Sequence, residues 1–392
     1  MKRLTADTIR PRVLHCITRL GLGGAESVSL EIIRQLQRET ENAVFTARSP
    51  SKDAVGLAMQ RRLEALGVPW WKGSRLPIKA GGMISGGLLL AHIVRSWRPD
   101  VLHYHGEPAE ACGAVLRLLP GPATPTHCLR TIHSGNHWGF SPRLGNWCDQ
   151  RLGAARVVSV SETVRRSFTA GRTLHGTGTP PCEIIHNGVS LAEATPRYAR
   201  IRAGAVGVIY AGRFSPEKGL DVLCLALRQT RLPIGIRGEM TFLGAGPEAH
   251  LLQSLRENPP AGWKVTIRSP SPEPASIIRE NDLLVLPSRY EGLPLVAIEA
   301  VRLGLPVVAT GTDGTREVFP VDYPFLAKTV NPAGLAETLS LAIARPDRWG
   351  EATAAAQAFA RHRFDAGTMA GSYLAIYREM LPGNSTAWNR AA

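Results

Sequence analysis

The chain is poor in aromatic residues (6%), poor in acid relative to base, and has no clustered cysteine. Its six cysteines, at positions 16, 112, 128, 148, 182 and 224, are scattered and never form C-x-x-C. That spacing argues against a disulfide framework and a structural zinc site and is expected to leave free thiols in the core. No His, Asp or Glu spacing reads as a metal site either, so no metal is expected. After the basic residues Lys2 and Arg3, the start has no apolar run, so no secretory signal is read there. The longest nearly apolar stretch, Gly82 to Val94, is too short for a bilayer and contains His92. A cytoplasmic protein is the expectation. There is no G-X-Y period among the 39 Gly and 29 Pro, and no solenoid-length repeat or low-complexity tract, so collagen-like and repeat architectures are excluded.

What is present is enough apolar residue (44%) over 392 residues for two ordinary cores. The net charge of +14 is uneven, with +10 falling on residues 1–196 and +4 on the remainder. A basic first half suits an acidic partner: anionic lipid, a phosphorylated substrate or nucleic acid. The excess of Arg over Lys is read as a bias of genome composition.

The chain alternates strand and helix patterns. Arg12 to Thr18 reads as a buried strand. A glycine loop follows through Gly23 and Gly24, then a helical spacing of Val28, Leu30, Ile32, Ile33 and Leu36. Further strands are expected at 43–46, 101–105, 128–133, 155–160 and 183–186. A polar stretch at 191–205 separates the halves. The pattern then restarts with strands at 206–211, 240–243, 265–267, 282–286 and 306–310. Residues 350–380 read as an Ala-rich helical tail, and the last dozen residues as frayed. This is an α/β chain with two doubly wound parallel sheets. Such sheets bind ligands beyond the carboxyl ends of their strands, so a cleft lined by those loops is the expected site.

The richest segment runs from Asn281 to Gly314. A strand ends at Leu286, a loop carries Glu291 and Gly292, and a helix is expected with Pro294 in its first turn and its stop near Gly304. The amides of Gly292 and Leu293, with the helix dipole, would form a receptor for phosphate. Glu291 and Glu299 suit sugar hydroxyls because each carboxylate accepts two donors. Apolar neighbours on both sides argue that Glu299 is no solvated surface residue. After the strand at 206–211 come Arg213, a planar fork, and Lys218, a point charge, both suited to a diphosphate. The turn at Gly244 and Gly246 would let a base or ribose lie close.

In the first half, Gly23 and Gly24 resemble part of a dinucleotide fingerprint. The full spacing is missing, because Ser27 stands where the third glycine belongs and no acidic residue closes the second strand. His133 ends a strand and could hydrogen-bond a substrate hydroxyl or a leaving oxygen. Two rival functions fit single features: an NAD(P)-dependent oxidoreductase on the first glycine loop, and a basic nucleic-acid binder. Neither explains two glutamates beside a helix-start anion site, so no nucleic acid is expected as partner.

Taken in order, Gly23-Gly24, His133, Val160-Ser161-Glu162, His186-Asn187-Gly188-Val189, Gly212-Arg213, Lys218-Gly219, Gly244-x-Gly246-Pro247 and Glu291-x7-Glu299 resemble the retaining, nucleotide-sugar-dependent glycosyltransferases of family four. The resemblance covers about residues 12–380. It implies the GT-B fold: a Rossmann-like acceptor-binding domain over 1–195, a Rossmann-like nucleotide-sugar-binding domain over 196–365, and a C-terminal helix within 366–392 crossing back to the first domain. It implies that Arg213 and Lys218 bind the donor diphosphate and stabilise the leaving nucleotide. Glu291 would contact donor sugar hydroxyls, Gly292 and Leu293 the phosphate, and Glu299 the ribose. Gly23 and Gly24 would shape the acceptor side near the phosphates, and His133 would sit by the transferred sugar. The implied donor is a UDP- or GDP-sugar, with no metal or other cofactor and with front-face attack on the donor. A glycan or lipid-linked acceptor at an anionic inner-membrane face is expected from charge and family together. Arg316 stands where many relatives have Pro.

Overall fold

The computed structural model describes residues 10–119, 127–139, 141–153, 155–174, 181–191, 193–194 and 204–381. Its chain divides into two compact units. One comprises residues up to Gly188 together with those from Ala366 onward, and the other runs from Val189 to Asp365. The terminal residues read as frayed, and much of the polar stretch at 191–205, lie outside the described residues.

The first unit alternates β1 (Arg12–Ile17), α1 (Gly24–Gln35), β2 (Glu41–Arg48), α2 (Ala54–Ala65), β3 (Trp70–Ser74), α3 (Gly82–Trp97), β4 (Val101–Tyr104), α4 (Glu107–Leu116), β5 (His127–Ile132), α5 (Pro142–Arg151), β6 (Arg156–Ser159), α6 (Glu162–Leu174) and β7 (Cys182–Ile184). The strands form one parallel sheet in the order β3-β2-β1-β4-β5-β6-β7. Apolar runs such as Val-Leu-His-Cys-Ile in β1 are buried on both sheet faces, as parallel sheets covered by helices require. The core on one face joins Leu14, Cys16, Phe45, Leu90, Leu102, Tyr104 and Cys112. The strand order reverses between β1 and β4, so the loops after β1, β4 and β5 border the point where such sheets bind ligands.

The second unit has β8 (Ala205–Ala211), α7 (Leu220–Gln229), β9 (Arg237–Leu243), α8 (Ala249–Glu257), β10 (Trp263–Arg268), α9 (Pro274–Arg279), β11 (Leu283–Leu286), α10 (Leu295–Arg302), β12 (Val307–Thr310), α11 (Asp313–Arg316), β13 (Leu326–Ala327), α12 (Pro332–Ala344) and α13 (Trp349–Arg363). Its parallel sheet has the order β10-β9-β8-β11-β12-β13 and reverses between β8 and β11.

The sequence pattern misses three features. β3 carries no β-branched run and lies half-exposed at the sheet edge, so no burial pattern marks it. β13 is two residues long. The helical tail is two helices: α13 stops before Phe364, and α14 (Ala366–Glu379) begins after a break. At that break the Val189 amide donates to the Phe364 carbonyl at 3.0 Å. Helix α14 packs on α1 within the first unit and buries Tyr373 and Tyr377 there.

Candidate functional site

In the second unit the loops after β8, β9, β11 and β12 meet at the carboxyl edge of the sheet. The β8 and β9 loops fit against each other backbone to backbone. The Phe214 amide donates to Ala245 O at 2.9 Å, and the Glu248 amide to Phe214 O at 3.0 Å. A Cβ on Gly244 would lie 1.9 Å from Gly212 O, and one on Gly246 would lie 2.2 Å from Phe214 O. No side chain fits at either position. The glycines here serve the close approach of two loops.

Arg213 is exposed at the tip of the β8 loop, and the Tyr210 hydroxyl donates to its carbonyl at 2.6 Å. A short 3-10 turn, Pro216–Lys218, comes next. The β11 loop pins it: the Arg289 amide donates to Glu217 O at 2.9 Å and the Arg289 guanidinium to Pro216 O at 2.7 Å. Lys218 is thereby set against Glu291, and its ammonium donates to both carboxylate oxygens at 2.8 Å. The Ser288 hydroxyl donates to the same carboxylate at 2.6 Å. Glu291 is only 9% exposed, so its charge is held by these two donors. Lys218 and Glu291, assigned from the sequence to diphosphate and sugar respectively, are thus partners of one another.

Helix α10 begins one residue later than the sequence suggests. Pro294 is its N-cap, so the amides with no partner inside the helix belong to its first turn at Leu295 and Val296. Gly292 and Leu293 precede the cap, in the loop that carries Glu291. The β12 loop closes over that segment: a Cβ on Gly314 would lie 2.0 Å from Glu291 O. Arg316 turns back and donates to Gly311 O at 2.8 Å. Glu299 lies on α10 and is partly exposed, and desolvation of its carboxyl pushes its pKa up to about 7.

In the first unit Gly23 is the N-cap of α1 and Gly24 its first residue, directly after β1. His133 follows β5 and is half-buried. Behind it lies a group of imidazoles that the sequence spacing did not reveal. His105 Nδ1 is 3.4 Å from His133 Nε2, and His105 Nε2 is 3.2 Å from His15 Nδ1. His103 lies between the Tyr377 hydroxyl and the Thr131 hydroxyl, each at 2.7 Å. Burial lowers the pKa of His15 to about 4 and that of His133 to about 3; the latter is lowered further by His137. His103 and His105 are held well below the ordinary value by burial and by their neighbours. His15, His103 and His105 each offer a nitrogen within 4.8 Å of the other two. Nothing in the spacing of His103 and His105 announces this group; the pairing of β1 with β4 brings them beside His15.

A second buried network shapes the loop after His133. Arg130 pairs with Glu110 at 2.8 Å and with Asp149 at 2.7 Å, all three nearly inaccessible. Trp138 donates its indole N–H to Glu110 at 3.1 Å and holds a left-handed φ of 60°. His137 also bonds Glu110. Burial alone would lower His137, but Glu110 and Glu107 together outweigh it and raise the imidazole above its usual value. Burial would likewise raise Glu110, but Arg130 and His137 hold it well below the carboxylate range.

The two parallel-sheet units define a GT-B glycosyltransferase fold. The solved structure of HepE from Anabaena with UDP and glucose superposes at a TM-score of 0.74, with 20% identity, covering 93% of this chain and 99% of that one. Residues 22–193 match the model of Glycosyltransferase Family 4, and residues 197–359 that of Glycosyl transferases group 1; the chain belongs to this glycosyltransferase family. It is 27% identical over 249 residues to a glycogen synthase of Mycobacterium tuberculosis, covering 60% of this chain and 58% of that protein. It is 30% identical over 268 residues to WcaL of Escherichia coli, named for colanic acid biosynthesis, covering 63% of each. The matches thus span less than two thirds of these relatives' length.

Proposed function

We propose that this glycosyltransferase moves a sugar, with retention, from a UDP- or GDP-sugar to a hydroxyl of a glycan or lipid-linked acceptor, in bacterial exopolysaccharide, capsule or lipopolysaccharide assembly. The observation that carries the donor half is the Lys218–Glu291 pair at the strand reversal of the second sheet. A cation and a carboxylate set side by side offer a diphosphate and a sugar hydroxyl what each needs. Arg213, at the tip of the neighbouring loop, adds a fork for phosphate. In transfer, the bond from the anomeric carbon to the phosphate oxygen breaks and the bond to the acceptor oxygen forms on the same face. The acceptor proton passes to the departing phosphate. Lys218, Arg213 and the α10 start would stabilise the charge that develops on the leaving diphosphate. Glu299 would hold the ribose, and His133 would lie by the transferred sugar. No metal enters this scheme. The solved relative was crystallised with UDP and with UDP-glucose, which supports a nucleotide-sugar donor.

The acceptor half rests on surface chemistry. On α3, Ile84 and Leu88 stand exposed one turn apart, with Leu76 exposed in the segment before it. Lys72, Arg75, Lys79 and Arg95 are exposed on β3, on that segment and on the same helix. Apolar residues flanked by cations suit an anionic lipid surface. Among the described residues no helix is long and apolar enough to cross a membrane.

A thermal-shift screen of UDP, GDP, UDP-glucose and GDP-sugars tests the donor. A preferred ligand at about 100 times its Kd stabilises by about 2.7 kcal/mol and raises the melting temperature. No shift from any of them refutes the donor assignment. Flotation with anionic vesicles at low and high salt tests the surface, and failure to float at low salt rejects it.

A further inference from the structure

The group of imidazoles behind His133 is ordered. Asn42, on β2, turns its carbonyl oxygen toward His15 Nε2 at 3.3 Å. His15 Nδ1 meets His105 Nε2 at 3.2 Å, and His105 Nδ1 meets His133 Nε2 at 3.4 Å. Each contact joins one ring nitrogen to the next, so the line runs from Asn42 through two buried rings to the residue after β5. All three rings are neutral at pH 7, because burial disfavours the imidazolium.

A neutral imidazole has one N–H and one lone pair, so each ring in such a line must donate on one side and accept on the other. The line then has only two consistent directions. A carbonyl at its inner end selects one: His15 donates from Nε2 to Asn42, so His15 Nδ1 must accept. His105 then donates from Nε2, and its Nδ1 accepts. His133 donates inward from Nε2, leaving Nδ1 with a lone pair. The described residues give that Nδ1 no partner.

We propose that Asn42, His15 and His105 are positioning residues that hold His133 in the Nε2–H tautomer, so that His133 meets a ligand hydroxyl as an acceptor and not as a donor. This rests on the reading of His133 as a contact of the transferred sugar. The alternative use of the group, a divalent cation on His15, His103 and His105, fits less well. Both nitrogens of His103 already have hydroxyl partners at 2.7 Å, and the three rings supply no negative charge to a buried dication.

The test is long-range 15N–1H correlation of the ligand-free, histidine-labelled full chain, with rings assigned from single-histidine variants. In the wild type, His15, His105 and His133 should each show a single tautomer protonated at Nε2. Asn42→Leu and His15→Phe break the line at different points, and each should shift the His133 signals toward a mixture of tautomers. Tyr377→Phe removes a partner of His103, outside the line, and should leave His133 unchanged. A wild-type His133 protonated at Nδ1 overturns the proposal. So does a His133 unaltered in a folded Asn42→Leu or His15→Phe chain, or equally disturbed in Tyr377→Phe. Stoichiometric displacement of the His15, His103 and His105 ring signals by added Zn²⁺ would establish the metal site instead. The measurement needs no substrate, so it can fail or succeed independently of glycosyl transfer.

Discussion

Acidification should unfold the first unit well before the second. Four imidazoles of the first unit, His15, His103, His105 and His133, are held neutral by burial. In the unfolded chain each takes up a proton near pH 6.5. Between that value and the lower folded pKa, the unfolded state binds more protons, so stability falls as pH drops. At pH 5 the gap from 6.5 corresponds to about 2 kcal/mol for each ring that stays neutral. His15, with a folded pKa of about 4, and His133, with one of about 3, together account for up to about 4 kcal/mol, and His103 and His105 act in the same direction. His137 works the other way. Its folded pKa is raised, so its contribution is full below 6.5 and lost as pH rises through the folded value. Against a domain stability of about 5–15 kcal/mol the net loss is large. In the second unit the described histidines, His250 and His362, are exposed. The assay is urea denaturation at pH 7.5, 6 and 5, with each equilibrated sample pulse-labelled for hydrogen exchange at one fixed pH and read peptide by peptide. Peptides from β1, β4 and β5 should lose their urea midpoint steeply below pH 6.5, while those from β8 and β11 hold theirs. A first-unit midpoint independent of pH between 7.5 and 5 would refute the reasoning.

The second unit gives further expectations. Gly244→Ala and Gly246→Ala each place a Cβ against backbone oxygen, so each should cost about 1–3 kcal/mol or more and lower the melting temperature of the second unit. Glu299→Gln removes a desolvated carboxylate whose folded pKa of about 7 lies above the unfolded value. The wild type therefore loses stability as pH rises from about 4.5 to 7, and the variant should be more stable by about 1–3 kcal/mol at pH 8 and by little at pH 4, while binding UDP-glucose or GDP-sugars less well. Arg213→Ala and Lys218→Ala should each lower turnover by about 10²–10³, and wild-type rates in either would remove that residue from the proposed mechanism. Lys218→Ala should also destabilise the chain by about 1–3 kcal/mol, because among the described residues Glu291 keeps only Ser288 as a partner; chemical denaturation reads this directly.

Much of this protein is written in local pattern. Alternating apolar runs and helical spacings announce two parallel α/β sheets, because strands covered by helices on both faces must be apolar throughout. The positions of Arg213, Lys218, Glu291 and Glu299 after strands follow from the same pattern, since a strand's end is visible where its apolar run stops. Edge strand β3 stays hidden because a half-exposed strand has no such run. The partnership of Lys218 with Glu291 could not be read, because it spans two strands that pair only in the folded sheet.

Residue type and spacing alone indicated the fold class, because it depends on burial patterns a few residues long, while the family and the loops proposed to bear chemistry came from the motifs and their resemblance. Tertiary structure decided what those residues do to each other. Parallel pairing of β1 with β4 and of β4 with β5 sets His15, His105 and His133 in line. Loop against loop turns Gly244 and Gly246 into contact points, and α14 brings Tyr377 from the far end of the chain to His103. These contacts join residues up to 274 positions apart, and no local pattern encodes a distance of that kind.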